Sequence, residues 1–243
     1  MNDMAKHGAS IPPAKALSGR QKDRAMLIFL VLSASFVASL VSCNLIFRKF
    51  FIWEIPGLTF EQSVGLLPYP LTFLVTDVIS ELFGKRKANW VVLSGLVASV
   101  LTLLVIAMAS SVQSTAWSPV TDAQFNHVFG QTTLAVGASM AAYLVAQFFD
   151  VRIFHFWKAQ TRGKHLWLRN NLSTIPSQII DTSAVLLLLC SVGEIEWAVW
   201  GTLMLNGVAF KALVALLDTP VVYLVVGRLR RQFDLAEGQE IDL

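Results

Sequence analysis

The sequence predicts an all-α polytopic membrane protein with six transmembrane helices. Three observations carry that expectation. Of 243 residues, 55% are hydrophobic and only 14% charged, against about 25% charged in soluble domains. Mean hydropathy is +0.60. The apolar residues fall into six runs, each long enough to cross the hydrocarbon core as a helix, and the basic residues alternate with those runs.

Residues 1–24 are polar, with Pro12, Pro13 and Gly19, and are predicted to be a disordered tail. No apolar run begins early enough for an ordinary signal peptide. A transmembrane domain over residues 25–227 follows, and residues 228–243 form a second tail. The first span runs from Ala25 to about Phe47, with Asn44 near its far end. Residues 48–63, with Trp53, Glu54, Pro56 and Gly57, read as an interfacial loop. The second span covers Val64 to Phe83, with Pro68 and Pro70 in its first turns, where proline breaks or bends a helix. The third covers Asn89 to Ser111, and a polar loop without Lys or Arg extends to Gly130. The fourth covers Gln131 to Phe149. A basic connection from Asp150 to Asn171 leads to the fifth, Leu172 to Cys190, which holds Pro176, Gln178 and Asp181. The sixth, Gly201 to Val226, contains Lys211, Asp218 and Pro220.

Six spans put both termini on one side. Sixteen of the nineteen Lys and Arg residues fall on that side; Arg48 and Lys49 lie opposite, and Lys211 lies within a span. The positive-inside rule assigns that side to the cytoplasm, so the expectation is an inner-membrane protein with both termini cytoplasmic. Three spans followed by three give halves of opposite orientation, as in an inverted 3+3 repeat. The second span of each half carries a proline near its start and an aspartate later, a pattern that points to a transporter binding site.

An ionised side chain inside hydrocarbon is costly and normally faces protein, water or a ligand. Asp77, Glu81, Asp181, Lys211 and Asp218 lie within spans. Asp77 and Glu81 are one turn apart on one helical face, with Phe73 a turn earlier. Asp77 lies roughly 9 Å from the cytoplasmic end of its span, and Lys211 about 15 Å from its outer end. Glu81 is shallower, where pairing with Lys85 or interfacial water would account for it. Lys211 needs an acid; Asp218 is about 10 Å along the axis, so Asp77 or Asp181 suits better. A buried ion pair that fixes helix register would also explain it. Ser177, Gln178 and Asp181 make a polar stripe, which serves helix pairing as readily as a ligand.

Cys43 and Cys190 sit in apolar segments without metal-ligand spacing and read as small buried hydrophobes. The four histidines form no metal cluster. No phosphate-binding glycine loop or nucleophile triad is visible, so no enzyme activity, cofactor or nucleic-acid partner is expected. Nothing in the pattern specifies an oligomeric state.

The segments VSCNLIFRKF, PYPLTFLVTDVISELFGKRKA and STIPSQIIDTSA, together with Lys211 and the DTP at Asp218–Pro220, resemble the queuosine precursor transporter family, related to vitamin uptake transporters. The resemblance spans about Ala25 to Val226, and its D-x-x-x-E-x-x-G-K core is fairly specific. Phe83 stands where the family often has tyrosine. The resemblance implies uptake of 7-cyano-7-deazaguanine or 7-aminomethyl-7-deazaguanine. A carboxylate can accept the adjacent N–H groups of a guanine-like edge, and an aromatic ring can stack on its face. Asp77 or Asp181 would supply the first and Phe73 the second; Gln178, Glu81 and Lys211 complete the candidate set. Two other classes stay open: a substrate-capture subunit of an ATP-driven vitamin transporter, and a structural membrane protein whose charges only pair helices.

Overall fold

The computed structural model describes residues 12–47, 49–55, 58–130, 133–191, 193 and 195–243. Its elements are β1 (Lys15–Ala16), α1 (Gly19–Ile46), β2 (Phe50–Ile55), β3 (Leu58–Ser63), a 3-10 turn (Val64–Leu66), α2 (Tyr69–Phe83), α3 (Lys85–Ser110), α4 (Asp122–Phe129), α5 (Thr133–Gln160), α6 (Leu166–Ser191), α7 (Trp197–Phe233) and β4 (Ile241–Asp242). This is an all-α membrane architecture with two small strand pairs.

Among the described residues, five helical stretches are long and apolar enough to cross a bilayer: α1, residues 64–83, α3, α6 and α7. The expected fourth span falls partly outside the described residues; α5 is 28 residues long from Thr133. The outward faces are apolar, as lipid contact requires: Leu101, Leu104 and Met108 on α3, and Leu205, Leu217 and Leu224 on α7, are all exposed.

The helix α2 is the axis of the bundle, with 61% of its span buried. It packs on α1, α3, α5 and α7, while α6 bridges α5 and α7. Its short apolar side chains Val75, Val78, Ile79 and Leu82 build the core with Phe36 of α1, Val91 and Val92 of α3, and Phe154 of α5. Close approach is secured by Gly95, where a Cβ would meet Phe36 and Leu40, and by Gly65, where it would meet the Cys43 carbonyl.

Several boundaries differ from the sequence expectation. Residues 19–24, expected in the tail, are the first turns of α1, and Lys15–Ala16 pairs in parallel with Ile241–Asp242. The expected loop at 48–63 contains an antiparallel hairpin, Phe50 opposite Ser63 through Ile55 opposite Leu58. The alternating pattern of FFIWEI suits a strand as well as an interfacial coil. The basic connection expected at 150–171 is mostly helix: α5 continues to Gln160 and α6 begins at Leu166. Likewise α7 continues to Phe233. Hydropathy marks where apolar sequence stops, but a helix continues past that point wherever other helices supply partners for its charges.

Candidate functional site

Two polar constellations lie inside the bundle. The first is a cleft between the start of α2 and the middles of α6 and α7. It opens to the surface and is lined by Tyr69, Phe73, Thr174, Gln178, Phe210, Lys211 and Asp218, among others. Tyr69 and Phe73 are one turn apart with ring centroids at 5.6 Å. Lys211 donates to Asp181 Oδ2 at 2.8 Å and to Thr182 Oγ1 at 3.0 Å. Its ammonium also sits 4.7 Å from the Tyr69 ring centroid, within cation–π range. The Tyr69 hydroxyl donates to Asp181 Oδ2 at 2.7 Å. Asp181 is therefore held just behind the lining, and it is the acid that pairs with Lys211. Among the described residues, Gln178 Oε1 finds no hydrogen-bond partner, and Thr174 Oγ1 lies beside the Asp150 carboxyl without completing one; both residues are buried. A buried polar atom left unpaired costs free energy until something meets it.

Pro176 lies inside α6 between these two residues. It removes one intrahelical hydrogen bond from that turn. Gly207 of α7 faces Thr182, and a Cβ there would come within 3.2 Å of the threonine methyl. That closeness lets Lys211, one turn further, reach across to α6.

The second constellation surrounds Glu81, which is fully buried. Arg169 of α6 grips it with two nitrogens, Nε to Oε2 at 3.1 Å and Nη2 to Oε1 at 2.7 Å. Arg230 of α7 also pairs with it, and Lys158 of α5 lies 3.7 Å away. Lys158 further donates to the Glu81 carbonyl at 3.0 Å and pairs with Glu240 at 2.9 Å. Arg169 spends its remaining donor on the carbonyls of Gly163 and Lys164, at 3.0 and 2.8 Å. Glu81 thus ties four helices together, and its partners are these three cations rather than Lys85 or water. Gly84 permits the arrangement: its φ of +82° is a glycine conformation, and a Cβ there would collide with Glu240.

Asp77 lies between the two constellations and lines neither. It faces Asp150 of α5, carboxyl to carboxyl within hydrogen-bonding reach. Both are buried. Asp150 was read from the sequence as a loop residue at the end of a span. The Ser177 hydroxyl donates to its Oδ1 at 3.3 Å.

Of the six residues expected to form one site, then, Phe73, Gln178 and Lys211 line the cleft, Asp181 backs it, Asp77 joins Asp150, and Glu81 anchors the ion cluster. Helix geometry explains the separation. Residues four apart drift about 40° around the axis, so Tyr69, Phe73, Asp77 and Glu81 spiral from the cleft toward α5 and α6. Tyr69 was missing from the expected set, although its spacing from Phe73 signals a shared face. Thr174 and Phe210 carried no distinguishing sequence signal.

A protein of Bacillus subtilis (strain 168) described as "Probable queuosine precursor transporter" is 28% identical over 174 residues, covering 70% of this chain and 73% of that one. No solved structure matches the chain. The family model described as "Putative vitamin uptake transporter" matches residues 63–225. That stretch contains α2, the cleft and the ion cluster's Glu81 and Arg169, and by it the chain belongs to this transporter family.

Proposed function

We propose that this protein carries a queuosine precursor, 7-cyano-7-deazaguanine or 7-aminomethyl-7-deazaguanine, across the bacterial inner membrane, and that the cleft at Tyr69, Phe73, Gln178 and Lys211 binds it. The observation that carries the reading is the buried Gln178 Oε1, without a hydrogen-bond partner among the described residues, beside two aromatic rings and the Asp181–Lys211 pair. A deazaguanine offers N–H donors for this acceptor and a flat face for Phe73. Asp181 is the acid assigned to the guanine-like edge, reached when Lys211 yields one of its contacts. The similarity to a protein described as a queuosine precursor transporter supports the substrate class. The topology proposed is six spans, with α5 as the fourth, arranged as two inverted halves with both termini cytoplasmic.

The test is uptake by purified protein in liposomes, with the two deazaguanines competed against guanine. Uptake without any partner sets aside both an ATPase-dependent capture subunit and a purely structural protein; no uptake and no binding would end the transport reading. Asp181→Asn keeps the size of the side chain but loses a charge and an acceptor. It should cost roughly 1–3 kcal/mol of binding, about ten- to a hundred-fold in affinity, measured by direct binding to the purified variant. Parent-like affinity would remove Asp181 from the site.

A further inference from the structure

We infer that Asp77 and Asp150 together form a proton-carrying site that couples substrate movement to a proton gradient. The inference rests on the transporter reading above. The two carboxyls face each other in the bundle interior, between α2 and α5, with relative exposures of 1% and 0%. Two carboxylates in contact and shielded from water cannot both stay ionised, so the pair holds a proton. Asp77 is also faced by Glu81 of its own helix and by Arg169 of α6. Asp150 is faced by Asp77 and by the hydroxyls of Ser173, Thr174 and Ser177 on α6. Arg169 is committed to Glu81 and to two carbonyls, so neither acid gains a cation of its own.

Among the described residues, Asp77 Oδ1, Asp150 Oδ2 and both amide atoms of Gln147 complete no well-aligned hydrogen bond, although the two carboxyls face each other and the Tyr143 hydroxyl lies beside the Gln147 amide. Gln147 is fully buried and one turn before Asp150 on α5. Thr174 Oγ1 stands beside the Asp150 carboxyl without completing a hydrogen bond, and the same residue lines the cleft. Thr174 thus joins the cleft to the acid pair, while Asp77 is one turn from Glu81 and less than two turns from the end of α2 at Phe83. Protons can pass between such groups through water or hydroxyls. In the proposed step a proton from the outer side binds the carboxylate of the pair that is still ionised as substrate occupies the cleft, and the pair returns to a single proton when one O–H bond breaks and that proton leaves to the cytoplasm. Nothing is oxidised or reduced.

The test uses the full chain in proteoliposomes with labelled 7-aminomethyl-7-deazaguanine and an imposed pH gradient, acidic outside. The parent should concentrate substrate when the gradient is imposed, and a sodium gradient of equal size should not substitute for it. Asp150→Asn and Asp77→Asn should keep parent-like binding and parent-like exchange of labelled for unlabelled substrate, yet lose at least tenfold of gradient-driven accumulation. Accumulation unchanged in both variants, or driven in the parent by sodium alone, would overturn the proposal. Loss of binding in step with uptake would overturn it too, since the acids would then belong to the substrate site. A parent that binds no deazaguanine would instead indict the transport reading. Infrared spectroscopy of the parent protein gives a readout independent of substrate and of variant folding. A buried carboxylic-acid band that exchanges in heavy water and disappears as pH is raised is expected. Its absence at every pH would refute a protonated pair.

Discussion

Glu81 shows what a single buried charge does in this molecule. It is fully buried and receives Arg169, Arg230 and Lys158 from three different helices. A buried pair contributes little over a well-packed apolar substitute, but removing one partner leaves uncompensated charge and costs about 3–5 kcal/mol. Glu81→Gln keeps the volume and removes the carboxylate shared by Arg169 and Arg230, while Lys158 keeps Glu240. It should lower the stability of the purified protein by about that amount, read as a fall in melting temperature in detergent, while any folded fraction keeps its affinity for ligand in the cleft. A folded Glu81→Gln protein of parental stability with weakened binding would instead return Glu81 to the substrate site. Asp181 and Lys211 obey the same electrostatics in a different setting. Their partners, Tyr69 and Thr182, are neutral, so the pair can open toward a ligand in a way that the overdetermined Glu81 cluster cannot.

At the scale of elements, the junction between α2 and α3 is the most constrained point of the fold. One residue, Gly84, ends the first helix and starts the second, at φ +82° and ψ 169°. That region of backbone space is essentially reserved for glycine. The missing Cβ also admits Glu240, which reaches Lys158 at 2.9 Å. The C-terminal segment is further held by Lys15 to Asp234 at 3.2 Å, by Lys87 to the Leu243 carbonyl at 3.1 Å, and by the β1–β4 pairing. Gly84→Ala should therefore cost about 1–3 kcal/mol from backbone strain and also expel Glu240. The expected outcome is a lower melting temperature together with faster protease cleavage after Phe233; unchanged cleavage would mean that the segment is held without Glu240. The G-K of the D-x-x-x-E-x-x-G-K pattern thus has a conformational cause as well as a charge.

For the whole molecule, the distribution of charge and the location of the ion cluster point the same way. Lys158, Arg169 and Arg230 belong to the basic connections that the positive-inside rule counts, yet in the fold they are gathered on Glu81. Arg228 and Arg231 lie beside Arg230 at the same end of α7. Opposite lies the 112–130 connection, free of Lys and Arg, where α4 starts with a capping box from Thr121 to Gln124. A cysteine placed at exposed Thr121 should react only with reagent added from outside, with little background because Cys43 and Cys190 are buried. Labelling from the cytoplasmic side alone would invert or break the proposed six-span topology.

By itself the sequence determined the class of solvent. Long apolar runs, few charges and a one-sided basic bias specify membrane helices whatever their packing, because hydrocarbon acts on each segment separately. It also exposed Gln178, Asp181 and Lys211 as residues out of place in lipid and Phe73 as a ring one turn from Asp77, and four of the six expected site residues do gather at or behind one cleft. Only the tertiary structure decided which charge meets which. Contacts between helices depend on rotation and register, and neither is written in a single helix's periodicity. Asp150, Lys158 and Arg169 read as loop residues because their neighbourhood is polar along the chain, yet they are buried because α2 brings Asp77 and Glu81 to them. Asp77 looked like a partner for Asp181 on sequence symmetry. The 40° drift of a four-residue spacing instead turned it away from the cleft and onto Asp150.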